Sequence, residues 1–478
     1  MESKVKIAVI GGGIAGSSVS LYLGKLGLDV TLFEKNPSLV SGPPICHLHA
    51  GGNLYRELSD ESCVTLLKES IELLRFYPKA VDYRPTVLAI PKEDKGEPEE
   101  LFGRLDLLKE AYAKLIKQDS DNRVLCDSCD YYKTYSREEI ELLKQQKIVS
   151  NPSNFDEWMI VVAKNLNLDK IKFPLILVQE YGLNIFRLGA AVSLQFEAID
   201  NVHLLTNSVV IGITAEPNGY RLTYQNEKQD KEAHFDYLIN SAGFRTGSID
   251  DMLGFKRERL VEFKSAYVTE WEDSNDVWPE VVFFGERGTP QGMAQFTPYP
   301  NGHFQIHGMT EEITLFKDGL VKSSEHSAQP KLDKKFIDKI DKSWQLADIQ
   351  SRTNRAIEHI HQFIPTFKEV KVASQPLYGA QQIPGDESSL RTSDVSFEND
   401  RYARCEIVKA SSVLTMIDLI VDRLVFLNYV ESADYGKRDF IYNMEFSEAE
   451  ITKYAQKLCR TRGYPISLAS TNSPKSRC

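Results

Sequence analysis

"KIAVIGGGIAGSSVSLYLGKLGLDVTLFEK", residues 6–35, decides the fold. Its apolar start has the composition of a parallel strand that is covered on both faces. The pattern Gly11-x-Gly13-x-x-Gly16 follows at once. In such a pattern the first glycine permits a tight turn, the second lets the backbone approach a pyrophosphate, and the third lets helix and strand pack closely. The helix that follows offers unpaired N–H groups and the positive end of its dipole to phosphates.

A second strand, residues 30–33, ends in an acidic residue. Glu34 lies 18 residues after Gly16, where a carboxylate can bind ribose hydroxyls. Strand, glycines, helix, strand and acid therefore predict a dinucleotide site rather than a glycine-rich turn without a ligand. The predicted cofactor contacts here are Gly11, Gly13, Ile14, Ala15, Gly16, Glu34 and Lys35.

Composition and charge exclude several other classes of protein. The chain has 478 residues, 42% of them hydrophobic and 26% charged, which is typical of a globular protein with more than one domain. A net charge of −11 argues against nucleic acid as a partner. No apolar run reaches the roughly 18–20 residues of a membrane helix, and the first strand leaves no room for a signal peptide. Seven scattered cysteines indicate neither a disulfide framework nor a metal site. We therefore expect a cytoplasmic protein without a metal, and peripheral association with the inner face of a membrane remains open.

A second stretch indicates which dinucleotide binds. "HFDYLINSAGF", residues 234–244, is an apolar strand that runs into Ser241, Ala242 and Gly243. It resembles the strand by which the D-amino-acid oxidase-like FAD oxidoreductases return to the nucleotide-binding sheet. The resemblance implies that FAD is the cofactor and that these three residues pass close to it. It also implies that the backbone of Val209 pairs with the adenine.

Two further segments resemble this family. "ICHLHAGGNLYREL", residues 45–58, is similar to the segment that lies against the flavin in the glycerol-3-phosphate dehydrogenases. The resemblance places His49, Gly51, Gly52 and Asn53 at the cofactor, with a noncovalent contact expected for His49. Residues 177–187 resemble the segment that precedes a helix lining the site.

The C-terminal part departs from the family pattern, which has a glycine-rich turn at a helix start under the flavin pyrimidine. Residues 401–424 stand in this place without those glycines. Lys409 and Ser411 stand at the expected helix start instead. A lysine there could neutralise negative charge at the N1/C2 edge of reduced flavin.

The resemblance implies an α/β fold with a Rossmann-like FAD-binding domain and a parallel sheet. A substrate domain would carry a largely antiparallel sheet and helices. We expect the FAD-binding domain in residues 1–80, 171–260 and 366–430, and the substrate domain in residues 81–170 and 261–365. Residues 431–465 would form a C-terminal helical segment, and residues 466–478 a disordered tail.

The family chemistry is hydride transfer from a CH–OH or CH–NH2 group to flavin N5. His303 and His307 lie four residues apart on a predicted strand, hence on one face, and either could act as the base. His49 is a third candidate for the base. Arg245 and Arg404 are the preferred candidates for clamping a substrate carboxylate. Other arginines beside the predicted pocket are Arg187, Arg287 and Arg391.

The sequence therefore predicts an FAD-dependent dehydrogenase or oxidase for a small, carboxylate-bearing substrate. The electron acceptor would be a quinone, oxygen or a soluble carrier. One alternative is a flavin monooxygenase that uses NAD(P)H, suggested by Gly385 and Asp386. That pair should close an apolar strand, and residues 379–384 do not read as one. A second alternative is a non-catalytic flavin-binding protein.

Overall fold

The computed structural model describes residues 5–42, 58–272, 274, 276–387, 394–431, 438 and 446–471. The helices are α1 (Ile14–Lys25), α2 (Asp60–Phe76), α3 (Phe102–Gln118), α4 (Arg137–Leu143), α5 (Phe155–Asn165), α6 (Ile185–Glu197), α7 (Thr246–Leu253), α8 (Lys334–Asp341), α9 (Leu346–His361), α10 (Val413–Phe426) and α11 (Glu448–Thr461). The strands in the first half are β1 (Lys6–Ile10), β2 (Asp29–Phe33), β3 (Val81–Asp82), β4 (Thr86–Ala89), β5 (Tyr132–Tyr135), β6 (Leu175–Val178), β7 (Gly182–Leu183), β8 (Val202–Leu205), β9 (Ser208–Glu216), β10 (Gly219–Asn226), β11 (Gln229–Phe235) and β12 (Tyr237–Asn240). Those in the second half are β13 (Arg259–Glu270), β14 (Glu280–Phe283), β15 (Ala294–Pro298), β16 (His303–Gly308), β17 (Leu320–Lys322), β18 (Lys371–Val372), β19 (Leu377–Pro384), β20 (Asp394–Asn399) and β21 (Tyr402–Glu406).

A six-stranded sheet carries the predicted dinucleotide site. Its order is β20-β21-β12-β1-β2-β8, and every neighbouring pair is parallel except β20 and β21. Alternate residues of β1 face opposite sides. Ile7 and Val9 pack in a core with α1, α6 and α10, whereas Ala8 and Ile10 pack against the three-stranded sheet β9–β11. Coverage on both faces explains why β1 is uniformly apolar.

A ten-stranded, mostly antiparallel sheet forms the second layer. Its main path is β17-β13-β16-β15-β14-β4-β6-β5, and β18 and β19 also pair with β13. On one face, Phe296 and Ile306 pack under α5 and α9. On the other face, Val268 and Val282 join the core of the parallel sheet. We call this second face the inner face, because it is turned towards the nucleotide-binding layer.

The predicted fold class is confirmed, with a parallel sheet and a largely antiparallel second sheet. The predicted division into domains assigns β6 and β19 to the FAD-binding segments, although both strands pair in the ten-stranded sheet. Strands β14, β15 and β16 lie within residues 261–365, which were assigned to the substrate domain. Ser447 and Glu450 form a capping box at the start of α11.

Two expectations are wrong. Residues 377–384 do form a strand, because β19 pairs with β13 over eight consecutive positions despite its polar residues. Residues 466–469 are not disordered but form a 3₁₀ turn in which Leu468 and Ala469 are buried. Burial of these two apolar side chains favours packing of the otherwise polar tail against the protein. Residues 472–478 lie outside the described part of the chain.

No helix in the described ranges combines the length and the apolar character needed to cross a membrane.

Candidate active site

The glycine-rich loop is shaped by close backbone contacts between β1 and β12. Gly11 has φ +102°, which L side chains rarely adopt, and an added Cβ would lie 2.4 Å from the Ser241 carbonyl oxygen. A Cβ on Gly16 would lie 1.9 Å from the Gly11 carbonyl oxygen. Ser241 donates its hydroxyl to the carbonyl oxygens of Ile10 (3.0 Å) and Gly11 (3.1 Å). The structure thus brings Gly11, Gly16 and Ser241 together.

The start of α1 is open to a ligand. Gly13 is its N-cap residue and makes no side-chain cap, and a Cβ built on Gly13 meets no atom of the described residues within 4 Å. Ile14 and Ala15 form the first turn of the helix. The first N–H groups of a helix lack partners within the helix, so a space beside them suits an anionic group. This cradle suits the pyrophosphate of FAD.

Glu34 is held directly beneath the glycine loop. Its carboxylate accepts hydrogen bonds from the backbone N–H of Gly12 and of Asn36, both at 2.7 Å. Burial raises the pKa of the Glu34 carboxyl, and the hydrogen bonds from Asn36 and Gly12 oppose this shift. A carboxylate oriented by two backbone donors next to the loop suits a ribose hydroxyl.

Other predicted cofactor contacts lie close to Glu34 or to Gly11. The N–H of Ser208 donates to the Glu34 carbonyl oxygen at 2.9 Å, which places Val209 at the end of β2. The Val209 side chain is 44% exposed. Ala242 donates its N–H to the Asn240 side chain at 3.3 Å, and Gly243 has φ +59°.

Lys35 and Arg245 meet at one carboxylate from the second layer. Asp341, the last residue of α8, accepts from Lys35 Nζ at 3.0 Å and from Arg245 Nη2 at 2.6 Å. Burial tends to raise the pKa of Asp341, but the two cations hold it below its usual range. Arg245 therefore lies beside the nucleotide end of the site and not on the inner face of the ten-stranded sheet.

The predicted helix start at residue 409 lies where it was expected. Lys409 precedes a 3₁₀ turn, Ala410–Ser412, which leads into α10, and Ser411 is buried. Ser412 and Thr415 donate their hydroxyls to the buried Glu69 carboxylate of α2 at 2.8 and 2.9 Å. These bonds fix the helix start against α2.

Arg404 is completely buried within the protein. Its Nε donates to both carboxylate oxygens of Asp250 at 2.9 Å, and its other nitrogens donate to Ser396 and Glu398, both at 2.7 Å. Asp250 also accepts from Arg259 at 2.6 Å. A guanidinium with these partners links β20, β21 and α7, and is not available to clamp a substrate.

His303 and His307 share a face of β16, as their spacing predicted. Phe304 and Ile306 point to the opposite face, under α9, so the two histidines lie on the inner face. His307 is 2% exposed, whereas His303 is only half-buried and its Nδ1 lies 3.0 Å from the Asn301 carbonyl oxygen. Between them, Gln305 lines a small cavity together with Asp82, Arg84, Gly182, Leu183, Asn184, Thr297 and Tyr299.

A charged cluster lies on the same inner face, and of its three members only Arg287 was a candidate from the sequence. Glu262 and Lys264 alternate on β13 with Val261 and Phe263, which pack under α8. Glu262 accepts from Arg287 and lies 2.7 Å from Lys264 Nζ. We call Glu262, Lys264 and Arg287 the inner-face charge cluster; it holds two cations and one carboxylate.

The inner-face charge cluster is connected to the start of α10. Lys264 donates to the Gln381 side chain at 3.0 Å, and Gln381 donates to the Val408 carbonyl oxygen at 2.8 Å. Val408 directly precedes Lys409. Lys264 was not predicted as a site residue, because nothing in "RLVEFKSAYV" distinguishes it from a solvent-exposed lysine. The alternation of side chains along β13 could still have assigned it to the same face as Glu262.

One further predicted residue, Arg187, lies away from this site. Arg187 points to the C-terminal segment, donating to the Lys79 carbonyl oxygen at 2.6 Å and to Thr452 at 3.0 Å. His49, Gly51, Gly52, Asn53 and Arg391 lie outside the described residues.

Comparisons with known proteins agree with this geometry. The model of the DAO family of FAD-dependent oxidoreductases matches residues 6–125. No curated protein sequence matches the chain. The fold is similar to glycerol-3-phosphate dehydrogenase from Bacillus halodurans complexed with FAD, with TM-score 0.59, 12% identity, and 96% of this chain and 73% of that chain covered.

Two smaller proteins share the same fold along most of their length. Glycine oxidase from Geobacillus kaustophilus has TM-score 0.55 and 11% identity, covering 90% of this chain and 95% of that chain. L-proline dehydrogenase from P. horikoshii has TM-score 0.55 and 15% identity, covering 93% of this chain and 99% of that chain. The family match over residues 6–125, together with this fold, shows that the chain contains an FAD-dependent oxidoreductase domain of the DAO type.

Proposed function

We propose that this oxidoreductase removes a hydride from a CH–OH or CH–NH2 group of a small, carboxylate-bearing substrate. The observation that carries the proposal is the inner face of the ten-stranded sheet. A buried histidine and the inner-face charge cluster lie on one surface that is turned towards the FAD-binding layer. When bound, FAD supplies the hydride acceptor at N5.

In this proposal, His307 takes the proton from the substrate heteroatom as the hydride leaves. A histidine titrates near neutrality and can hold that proton at a ring nitrogen. Its low exposure keeps bulk water from competing for the proton. His303 is the second candidate on the same face.

Lys264 and Arg287 orient the substrate through its carboxylate. The cluster carries one cation more than its single carboxylate neutralises, and the side chains of Lys264 and Arg287 are 13% and 30% exposed. A partly buried guanidinium can bind a carboxylate in bidentate fashion. Lys409 and Ser411 are proposed to contact the flavin pyrimidine edge at the start of α10.

Replacing His307 by glutamine is expected to slow flavin reduction by substrate about 100-fold while FAD stays bound, since loss of a general base typically costs 10²–10⁴ in rate. Rapid-mixing absorbance under anaerobic conditions measures this rate. His303→Gln, four residues earlier on the same face, is the matched control. Substrate should reduce the flavin of this variant at a nearly normal rate. Slow reduction in His303→Gln with a normal rate in His307→Gln would contradict the assignment.

Replacing Arg287 by methionine is expected to raise the substrate dissociation constant about 10- to 100-fold, because a hydrogen bond to a charged group contributes roughly 1.5–3 kcal/mol. The dependence of the flavin reduction rate on substrate concentration gives this constant. Arg221→Met, on the three-stranded sheet, is the control, since Arg221 pairs only with neighbouring residues Glu216 and Glu232 there. An unchanged dissociation constant in Arg287→Met would exclude Arg287 from the carboxylate site.

The proposed function is tested by an absorbance spectrum of the purified protein, followed anaerobically as 2-hydroxy and 2-amino acids are added singly. Loss of the flavin band near ~450 nm with one compound supports the proposal and identifies the substrate class. A flavin that bleaches with NADPH but with none of the acids would indicate a monooxygenase. A flavin that is reduced only photochemically would indicate a binding protein.

A further inference from the structure

The C-terminal helix α11 reaches the FAD-binding half of the molecule through its C-cap residue. Arg462 donates from Nη1 to the Val40 carbonyl oxygen at 3.0 Å and from Nη2 to the Leu39 carbonyl oxygen at 2.5 Å. Its Nη2 and Nε also donate to the Ser38 hydroxyl at 3.0 and 3.2 Å. One guanidinium therefore holds three consecutive residues, which we call the 38–40 segment.

The 38–40 segment in turn contacts the glycine loop. Val40 donates its N–H to the Gly12 carbonyl oxygen at 2.9 Å. A Cβ on Gly12 would lie only 2.5 Å from Leu39 Cδ2, so the segment packs directly on this glycine. The same Gly12 donates its N–H to Glu34. The contacts run from Arg462 through residues 38–40 to both the loop and the ribose-binding carboxylate.

The backbone of this segment needs external support. Val40 has φ +53°, an unfavourable conformation for a β-branched residue, which costs roughly 1–3 kcal/mol. Such a conformation persists only when surrounding contacts determine it. The bonds to Arg462 and Gly12 supply part of that support, together with the burial of Leu39 and Val40 in the core.

Arg462 is itself firmly placed. Its guanidinium lies 5.8 Å from the Phe186 ring centroid, and its carbonyl oxygen accepts from the Gln375 side chain at 2.7 Å. Two residues on, the Tyr464 hydroxyl donates to the Pro376 carbonyl oxygen at 2.8 Å. The chain on both sides of the guanidinium is therefore tied to the rest of the fold.

We propose that Arg462 is a positioning residue for FAD, holding the 38–40 segment so that Gly12 and Glu34 keep the geometry that binds the cofactor. Among the described residues, its guanidinium contacts Ser38, Leu39, Val40 and Phe186 and not the start of α1, so it acts on the cofactor through the 38–40 segment. Its effect is on cofactor affinity and is independent of which substrate the enzyme oxidises.

The test measures the FAD dissociation constant by titrating apoprotein and following the change in flavin fluorescence. Arg462→Met should raise this constant about 10-fold or more, and Ser38→Ala should raise it severalfold, since each removes hydrogen bonds of roughly 1–3 kcal/mol. Because both act through the same bonds, the double variant should bind FAD no more weakly than Arg462→Met alone. Arg460→Met, exposed on the same helix, is the matched control and should bind FAD like the unaltered protein.

The melting temperature of each apoprotein separates positioning from general destabilisation. The Ser38→Ala apoprotein should have the same melting temperature as the unaltered apoprotein, although it binds FAD more weakly. A dissociation constant within twofold of the unaltered value in Arg462→Met, or additive effects in the double variant, would overturn the proposal. If Arg462→Met does not fold, Arg462→Lys and Ser38→Ala decide the question, and unchanged FAD binding in both would overturn it.

Discussion

Replacing Gly13 by valine is expected to abolish FAD retention and to leave the apoprotein folded. Within the described part of the chain, a Cβ at this position meets no atom within 4 Å, and the residue has φ −68° and ψ −175°, which valine adopts readily. The added side chain would instead fill the space beside the first N–H groups of α1, where the pyrophosphate is expected. The purified variant should be colourless at 450 nm, with an apoprotein melting temperature like that of the unaltered apoprotein.

Gly16→Ala is the contrasting variant. Its Cβ would lie 1.9 Å from the Gly11 carbonyl oxygen and 2.4 Å from Ser241 Oγ, so β1, β12 and α1 could not keep their packing. We expect this variant to lose both FAD and thermal stability. A yellow, normally loaded Gly13→Val protein would contradict the placement of the cofactor at the start of α1.

Replacing Asp250 by asparagine is expected to destabilise the protein by about 3–5 kcal/mol, the usual cost of removing one partner from a buried ion pair. Its carboxylate is fully buried and accepts from Arg259, Arg404 and the Tyr402 hydroxyl, all within 2.9 Å. The amide that replaces it carries no charge for the two guanidinium groups and brings an N–H donor among other donors. Urea unfolding of the FAD-loaded protein measures the loss.

Asp230→Asn, on the exposed strand β11, is the control for Asp250→Asn. Asp230 accepts one hydrogen bond from Gln225 at 3.1 Å in an exposed setting, and we expect a change within about 0.5 kcal/mol. If Asp250→Asn lowered stability by less than about 1 kcal/mol, the buried network would be much weaker than its geometry indicates. Arg404 would then become a candidate for a role in substrate binding again.

The strand–loop–helix–strand geometry around the predicted nucleotide site could be predicted from sequence because its determinants are local. Gly11, Gly13, Gly16 and Glu34 lie within one strand–helix–strand unit, and their spacing alone fixes where each must lie. The period-2 rule likewise placed His303 and His307 on one face of β16, since it depends only on strand geometry.

The role of Arg404 depends on distant partners and could not be predicted in this way. Asp250 is 154 residues away in sequence, and nothing around Arg404 indicates that a carboxylate will occupy its guanidinium. Strand β19 was missed for a similar reason. Its stretch, with Gln381 and Gln382, lacks an apolar run, and its strand conformation comes from hydrogen bonding to β13. Pairing of this kind, between segments more than a hundred residues apart, overrides local composition.

The order of strands in the parallel sheet has a consequence for synthesis of the protein. β1 lies between β2, which follows it closely in the sequence, and β12, which is synthesised about 230 residues later. The other neighbour of β12 is β21, which is synthesised later still. Closing such long loops makes parallel pairing slow. As the chain leaves the ribosome, the glycine loop therefore stays without Ser241 and its other distant supports until most of the polypeptide exists. We therefore expect cofactor loading to be a late step of biogenesis, and nascent chains that end before β21 should be unable to retain FAD.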